Sequence, residues 1–229
     1  VTIAAVVPAA GRGERLGRGA PKALREVGGV PMLVHAVRTL GQARLVDLVV
    51  VAAPPASVAA VRTLLADHEV PAEVQVVAGG ATRQASVRRA VAAVPADVDV
   101  VLVHDAARPL VPAELVDAVA AAVRDGADAV VPGLPVAETI KEVDSACVVR
   151  RTLDRSTLRA VQTPQGFRRT VLEEAHAAAV GEAATDDAGL VERLGRTVLV
   201  IAGAEEAFKV TRPIDLLLAE ALLFQRRAR

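Results

Sequence analysis

Ile3-Ala4-Ala5-Val6-Val7 runs without a polar residue into Pro8-Ala9-Ala10-Gly11-Arg12-Gly13-Glu14-Arg15-Leu16-Gly17, and Pro21-Lys22 follows before any helix can settle. A short apolar run closed by glycines reads as a buried strand that delivers its end to a loop. The same kind of run, rich in β-branched residues, returns at 46–53, 74–78, 98–103 and 127–131. Between these lie 31–43, 56–67, 82–94 and 112–125, where apolar positions repeat at three and four, as Leu33, Val34, Val37 and Leu40 do. Strand and helix alternating at this spacing predict an α/β fold: a Rossmann-like, open, mostly parallel sheet sandwiched by helices. Its ligand site should lie at the carboxyl ends of the strands.

The alternation breaks after Pro132. The polar stretch Glu138-Thr139-Ile140-Lys141-Glu142, a turn at Asp144-Ser145 and a strand-like 146–150 predict a β-hairpin arm projecting over 133–159. Helices near 170–180 and 186–194, a strand at 198–202 and a closing helix at 214–227 complete the expected order within one domain, 1–229.

Composition narrows the function. Lys and Arg number 27 and Asp and Glu number 27, so the formal charge is zero and electrostatic binding to nucleic acid or an acidic membrane is not expected. With three Phe, no Tyr and no Trp, stacking on bases is not available and the core must be Ala, Val and Leu. Cys147 is the single cysteine, so no disulfide framework exists; it reads as a packing residue of the hairpin. No run of eighteen apolar residues and no basic leader is present, and a cytoplasmic protein is expected.

Two clusters can carry chemistry. A glycine-rich loop after a strand exposes backbone N–H groups that can cradle phosphate, or it is an ordinary turn. Leu16 stands where a dinucleotide fingerprint needs glycine, and Lys22 between Pro21 and Ala23 does not fit a Walker A motif. Arg12, Arg15 and Lys22 against the one acid Glu14 are more positive charge than a turn requires, and a bound triphosphate accounts for it. The second cluster, His104-Asp105-Ala106-Ala107-Arg108-Pro109, ends the most apolar strand. Asp105 is placed to hold Mg²⁺ alongside substrate phosphates, or else to cap its loop or pair with Arg108. His104 reads as a packed, hydrogen-bonded residue, and Thr185-Asp186-Asp187 as a helix N-cap with an acidic first turn.

These clusters belong to an ordered set: PAAGRGERLG with PK at 8–22, GG-x-x-R-x-x-S at 79–86, HDAARP at 104–109, TIK at 139–141, DR at 154–155, QTPQGF at 162–167 and FKVTRPIDL at 208–216. The set resembles the 2-C-methyl-D-erythritol 4-phosphate cytidylyltransferases, a sugar nucleotidyltransferase family of the non-mevalonate isoprenoid pathway. The resemblance implies the nucleotide-diphospho-sugar transferase type of fold and transfer of a cytidylyl group from CTP to methylerythritol phosphate, with Mg²⁺. It places Ala9, Ala10 and Gly11 against cytidine and ribose, Arg15 and Lys22 on the triphosphate, and Gly80, Arg83 and Ser86 near the cytosine. Asp105 with its neighbour Ala106 would hold the metal and nucleotide, and Lys209 would meet the acceptor phosphate. Thr139 and Arg155 on the arm and Thr163 would bind the acceptor, the arm completing the site of a second copy in a homodimer. Ala81 stands where family members often carry an acid. Alternatives are ribitol 5-phosphate cytidylyltransfer, whose enzymes tend to open the loop with L-A-G-G, and a CTP-binding module without catalysis. On the residues alone, Lys209 and Arg212 could be solvated and Arg155 could pair with Asp154.

Overall fold

The computed structural model describes residues 1–11, 22–179 and 184–227. The opening run is β1 (Thr2–Pro8), and a short hairpin of β2 (Glu26–Val27) and β3 (Val30–Pro31) leads into α1 (Met32–Gln42). Then β4 (Leu48–Ala53), α2 (Val58–Asp67), β5 (Glu73–Ala78), α3 (Arg83–Ala93), β6 (Val98–Val103), α4 (Ala113–Arg124) and β7 (Ala129–Pro135) alternate as the apolar periodicity predicts. The arm carries β8 (Lys141–Val143) and β9 (Val149–Thr152). It is followed by β10 (Arg159–Val161), β11 (Gln165–Arg168), α5 (Arg169–Ala178), α6 (Ala188–Arg193), β12 (Val198–Ala202) and α7 (Pro213–Arg227).

β1 lies between β4 and β6, parallel to both, and β5 extends the sheet beyond β4. The chain therefore fills one side of β1 first and then crosses to the other. That reversal opens a crevice at the carboxyl ends of β1 and β6, the usual ligand position of such sheets. Side chains alternate across the strands. Ile3, Ala5 and Val7 pack under α1, α2 and α4, while Ala4 and Val6 pack under α3, α5 and α6. Both layers are apolar because every strand at the centre is covered twice, so the strands read as unbroken Val and Ala runs.

The sheet departs from the expected alternation beyond β6. Antiparallel β11 is inserted between β6 and β7, β10 pairs antiparallel with the far end of β7, and β12 runs parallel along the opposite edge of β7. The sequence reading assigned no strand to 159–161 or 165–168. Gly166 lets β11 pass beneath α4, because a Cβ there would lie 2.7 Å from Val119 and 2.9 Å from Val123. Phe167 is fully buried beside it.

The hairpin forms where it was expected, and every residue of β8 and β9 is exposed. Asp144 closes its turn by accepting the N–H groups of Ala146 and Val148. Cys147 is not a packing residue: it sits exposed in that turn at φ 61°, at the tip of a hairpin whose strands are exposed throughout. Among the described residues no helix is long and apolar enough to cross a membrane.

Candidate active site

A cleft of about 190 Å³ opens at the crevice between the ends of β1 and β6. The loop after β1 lines it with Ala9, Ala10 and Gly11, and Lys22 borders it where the chain is next described. The loop after β5 adds Gly80, and α3 adds Arg83 and Ser86. The loop after β6 adds Asp105 and Ala106, and the segment before α7 adds Lys209. Five separate stretches of sequence thus meet at one point. Arg15 lies outside the described residues.

The glycine pair after β5 is shaped by contacts on both sides. The Gly79 N–H donates to Ala53 O at 2.7 Å and its carbonyl accepts from Arg89 at 2.6 Å. A Cβ on Gly79 would come within 2.7 Å of the Ala10 side chain, and one on Gly80 would overlap Ala85. Ser86 accepts the Gly80 N–H at 3.0 Å and donates to Thr82 O at 2.9 Å, so its buried hydroxyl fixes this loop. Thr82 caps α3 through the Ala85 N–H at 3.0 Å. Ala81, in place of an acid, is exposed at the rim of the cleft.

Asp105 is the one carboxylate among the described residues lining the cleft, and it sits between two cations. Lys209 Nζ donates to one oxygen at 2.6 Å and Arg83 Nε to the other at 3.2 Å. Burial alone would raise the Asp105 carboxyl, but the charges of Arg83 and Lys209 and the Lys209 hydrogen bond hold it well below the usual carboxylate range. The Arg108 side chain does not pair with Asp105. It donates to Ala207 O at 2.6 Å and Val161 O at 3.2 Å, tying the end of β6 to the segment that carries Lys209. Lys209 lines the cleft with its ammonium on Asp105.

Behind Asp105 lies a buried support. Thr163 Oγ1 accepts the Asp105 N–H at 3.1 Å and is also 3.1 Å from His104 Nδ1. His104 Nε2 faces Arg108 O at 3.2 Å; a carbonyl only accepts, so Nε2 carries the proton and Nδ1 accepts from the Thr163 hydroxyl. Burial lowers the His104 pKa to about 4, which keeps this ring neutral. His104 is the packed, hydrogen-bonded residue expected, and Thr163 supports the Asp105 loop from beneath.

Thr139 and Arg155 do not line the cleft. Both are exposed, and Arg155 donates to Ala137 O across the root of the arm rather than pairing with Asp154, which holds Ser156. Sequence reasoning missed a buried residue behind Arg83. Asp186 accepts the Gly189 N–H at 3.0 Å, as a cap should. Asp187, however, is no surface acid: it is 1% exposed, bound to Arg83 Nη1 at 2.6 Å and to His176 Nε2 at 2.9 Å. Removing one partner of such a buried pair costs on the order of 3–5 kcal/mol. The doubled Asp at 186–187 was the available signal, but its partner Arg83 lies 104 residues away.

Comparison with known proteins fixes the family. The model for the IspD family, 2-C-methyl-D-erythritol 4-phosphate cytidylyltransferase, matches residues 3–225. This chain belongs to that family. A relative of this name from Frankia casuarinae is 64% identical over 221 residues, covering 96% of this chain and 81% of its own length. Another from Streptomyces avermitilis is 58% identical over 232 residues, covering 98% of this chain and 92% of its own length. The crystal structure of the Thermus thermophilus 2-C-methyl-D-erythritol 4-phosphate cytidylyltransferase superposes on the chain with a TM-score of 0.77 at 40% identity, covering 97% of this chain and 98% of that one. The chain is therefore a cytidylyltransferase, a nucleotidyltransferase of the isoprenoid precursor pathway.

The donor set bears on the metal expected at Asp105. No group of three or more His, Cys, Asp or Glu side chains is placed to cage an ion among the described residues. Mg²⁺ does not need one, because it is commonly held by one or two carboxylates together with substrate phosphates and water. A single ionised carboxylate facing the cleft fits that mode.

Proposed function

We propose that this cytidylyltransferase joins CTP to 2-C-methyl-D-erythritol 4-phosphate in the cleft, giving 4-diphosphocytidyl-2-C-methyl-D-erythritol and pyrophosphate. The observation that carries the reading is the meeting of Lys22, Asp105 and Lys209 beside the glycine loops at the switch point. The acceptor's phosphate oxygen attacks the α-phosphorus of CTP, the bond to the bridging oxygen breaks, and pyrophosphate leaves with the bond electrons. The attacking oxygen is already an anion, so no protein nucleophile or general base is required. The work of the protein is to hold two repelling anions in line and to neutralise the charge that accumulates between them.

Ala9, Ala10, Gly11 and the Gly80 loop, with Ala106, receive the nucleoside, where side chains larger than methyl would fill the space the base needs. Lys22, together with Arg15 as the family resemblance assigns it, neutralises the triphosphate. Lys209 meets the acceptor phosphate. Asp105 would hold Mg²⁺, which when bound supplies additional positive charge to the nucleotide phosphates.

The acceptor side draws on the arm at 133–159. Thr139 and Arg155 are exposed and outside the cleft, and Val143, Val148 and Val149 are 47–60% exposed on a two-stranded hairpin that pairs with no other described strand. A two-stranded hairpin is marginal in water by itself. Seating the arm on a second copy would cover these valines and bring Thr139 and Arg155 to that copy's cleft. In this reading the enzyme is a homodimer with shared sites, each chain one domain with its dimerisation arm. A cytoplasmic setting fits a reaction that consumes CTP.

The test is magnesium-dependent pyrophosphate release from CTP with methylerythritol phosphate, with ribitol 5-phosphate and with no acceptor. Release with methylerythritol phosphate alone is expected. Release with ribitol 5-phosphate alone would overturn the acceptor, and CTP binding without release in all three would leave a nucleotide-binding role.

A further inference from the structure

The cleft is backed by a line of alternating donors and acceptors whose inner members the reaction does not use. From the interior outward it runs His176, Asp187, Arg83, Asp105 and Lys209, with contacts of 2.9, 2.6, 3.2 and 2.6 Å. Its inner members are 4% and 1% exposed. The guanidinium of Arg83 is divided unequally, with its short bond to Asp187 and its long one to Asp105. A free guanidinium beside a carboxylate closes on it with two parallel bonds. Here Asp187 holds the guanidinium by Nη1, and only Nε is hydrogen-bonded to Asp105.

We propose that Asp187, oriented by His176, is a positioning residue that keeps Arg83 from closing on Asp105 with two bonds, so that the Asp105 carboxylate keeps its aim into the cleft. The charges support this. Arg83 and Lys209 are balanced by Asp105 and Asp187 together, and without Asp187 both cations depend on Asp105. The His176 tautomer is fixed by the same geometry: a carboxylate accepts, so Nε2 carries the proton. Nδ1 has no hydrogen-bond partner among the described residues, so the ring's one polar contact among them is the one that aims Asp187. The tether comes from α5 and the turn before α6, so packing far from the nucleotide sets the geometry of the metal-facing carboxylate.

The inference rests on the proposed cytidylyl transfer, and its test carries a readout that does not depend on turnover. Asp187→Asn, His176→Leu and His176→Gln are compared with the parent enzyme by steady-state kinetics, by thermal unfolding and by the ¹H–¹⁵N signal of Arg83 Nε, assigned through Arg83→Lys. Asp187→Asn and His176→Leu are expected to lower kcat on the order of 10- to 100-fold, the usual reach of outer partners of a site ligand, with KM for CTP within about threefold. The Arg83 Nε signal should shift in both. His176→Gln, whose amide can donate from the same place, should recover most of the loss. If Asp187→Asn does not fold, the His176 pair carries the comparison. Folded variants with the parent's kcat, or an unmoved Arg83 signal, would overturn the proposal. A parent enzyme that binds CTP without turnover, with the Arg83 signal still shifting in the variants, would count against the function and not against the tether.

Discussion

The cleft draws its side chains from loops anchored in buried strands, whereas the arm carries its acceptor-binding candidates on two strands that are exposed along their whole length. At the cleft Asp105 is held from two sides, by Lys209 and Arg83 in front and by Thr163 at its N–H behind. The arm is held only by itself, through the Asp144 turn, Lys141 on Thr152 at 2.6 Å and Arg151 on Glu142 at 2.6 Å. Such exposed pairs contribute about 0–1 kcal/mol each. The nucleotide half of the site is therefore preorganised within one chain, while the acceptor half is displayed for assembly.

The largest expected effect divides these two halves. Lys22→Ala should lower turnover by roughly 100- to 1,000-fold, the scale on which charge-stabilising groups act, while leaving thermal unfolding nearly unchanged. Arg155→Ala should lose turnover too, through a raised KM for the acceptor. If the arm serves a second copy, the two defects fall in the same cleft of a mixed dimer and leave the other cleft intact. Mixing the two inactive proteins in equal amounts, with exchange of subunits, should then restore about a quarter of the parent activity, since half the dimers are mixed and each has one intact cleft. Mixed dimers that form and remain inactive would mean that each arm serves its own chain.

A smaller effect should come from the nucleoside side of the cleft. In Gly80→Ala the new methyl overlaps Ala85, and backbone of the same residue lies 3.0 Å away. Overpacking of this kind costs about 1–3 kcal/mol. The expected result is a lower denaturant midpoint and weaker CTP binding by calorimetry, with the arm's contribution to acceptor KM untouched. Unchanged CTP affinity would separate the glycine loop from base recognition.

How much of this was legible in the sequence follows the same division. Strands buried on both faces write themselves as Val and Ala runs, so β1, β4 and β6 were readable within two residues of their ends, and the half-exposed edge strand β5 was readable from its Val-rich run. β10 and β11 were not, because three or four residues such as Gln165-Gly166-Phe167-Arg168 carry no period of their own and become strands only in the gap beside β6 and β7. Of the site, the loops at strand ends were legible because glycine and charge cluster there, directly after apolar runs. Asp187 was misread as an acid of a capped helix's first turn because its role is set by Arg83 and His176, which arrive from other parts of the chain. Cys147 failed for the opposite reason: nothing packs on the arm within this chain, so apolar character there did not mean burial.

The smallest expected effect is a difference in pH response between the same two regions. His104 behind the cleft has its pKa lowered from 6.5 to about 4 by burial, so the folded protein binds fewer protons than the unfolded chain between these values. Stability linked to this group is complete above pH 6.5 and declines as pH falls toward 4. Asp105 and Asp187, both held below the ordinary carboxylate range against the cost of burial, act in the same direction but only below about pH 4, where the unfolded carboxylates take up protons. At the root of the arm Asp154 is lowered by its bonds from Ser156, so it too responds only in acid. Between pH 7 and 5, then, calorimetry should show the melting temperature falling through the support of the cleft, and nuclear magnetic resonance should show the His104 ring still neutral at pH 5.5. A His104 ring that titrates near 6.5 in the folded enzyme would mean that the Thr163 and Arg108 contacts do not hold the ring closed, and that the cleft shares more of the arm's openness than its buried strands imply.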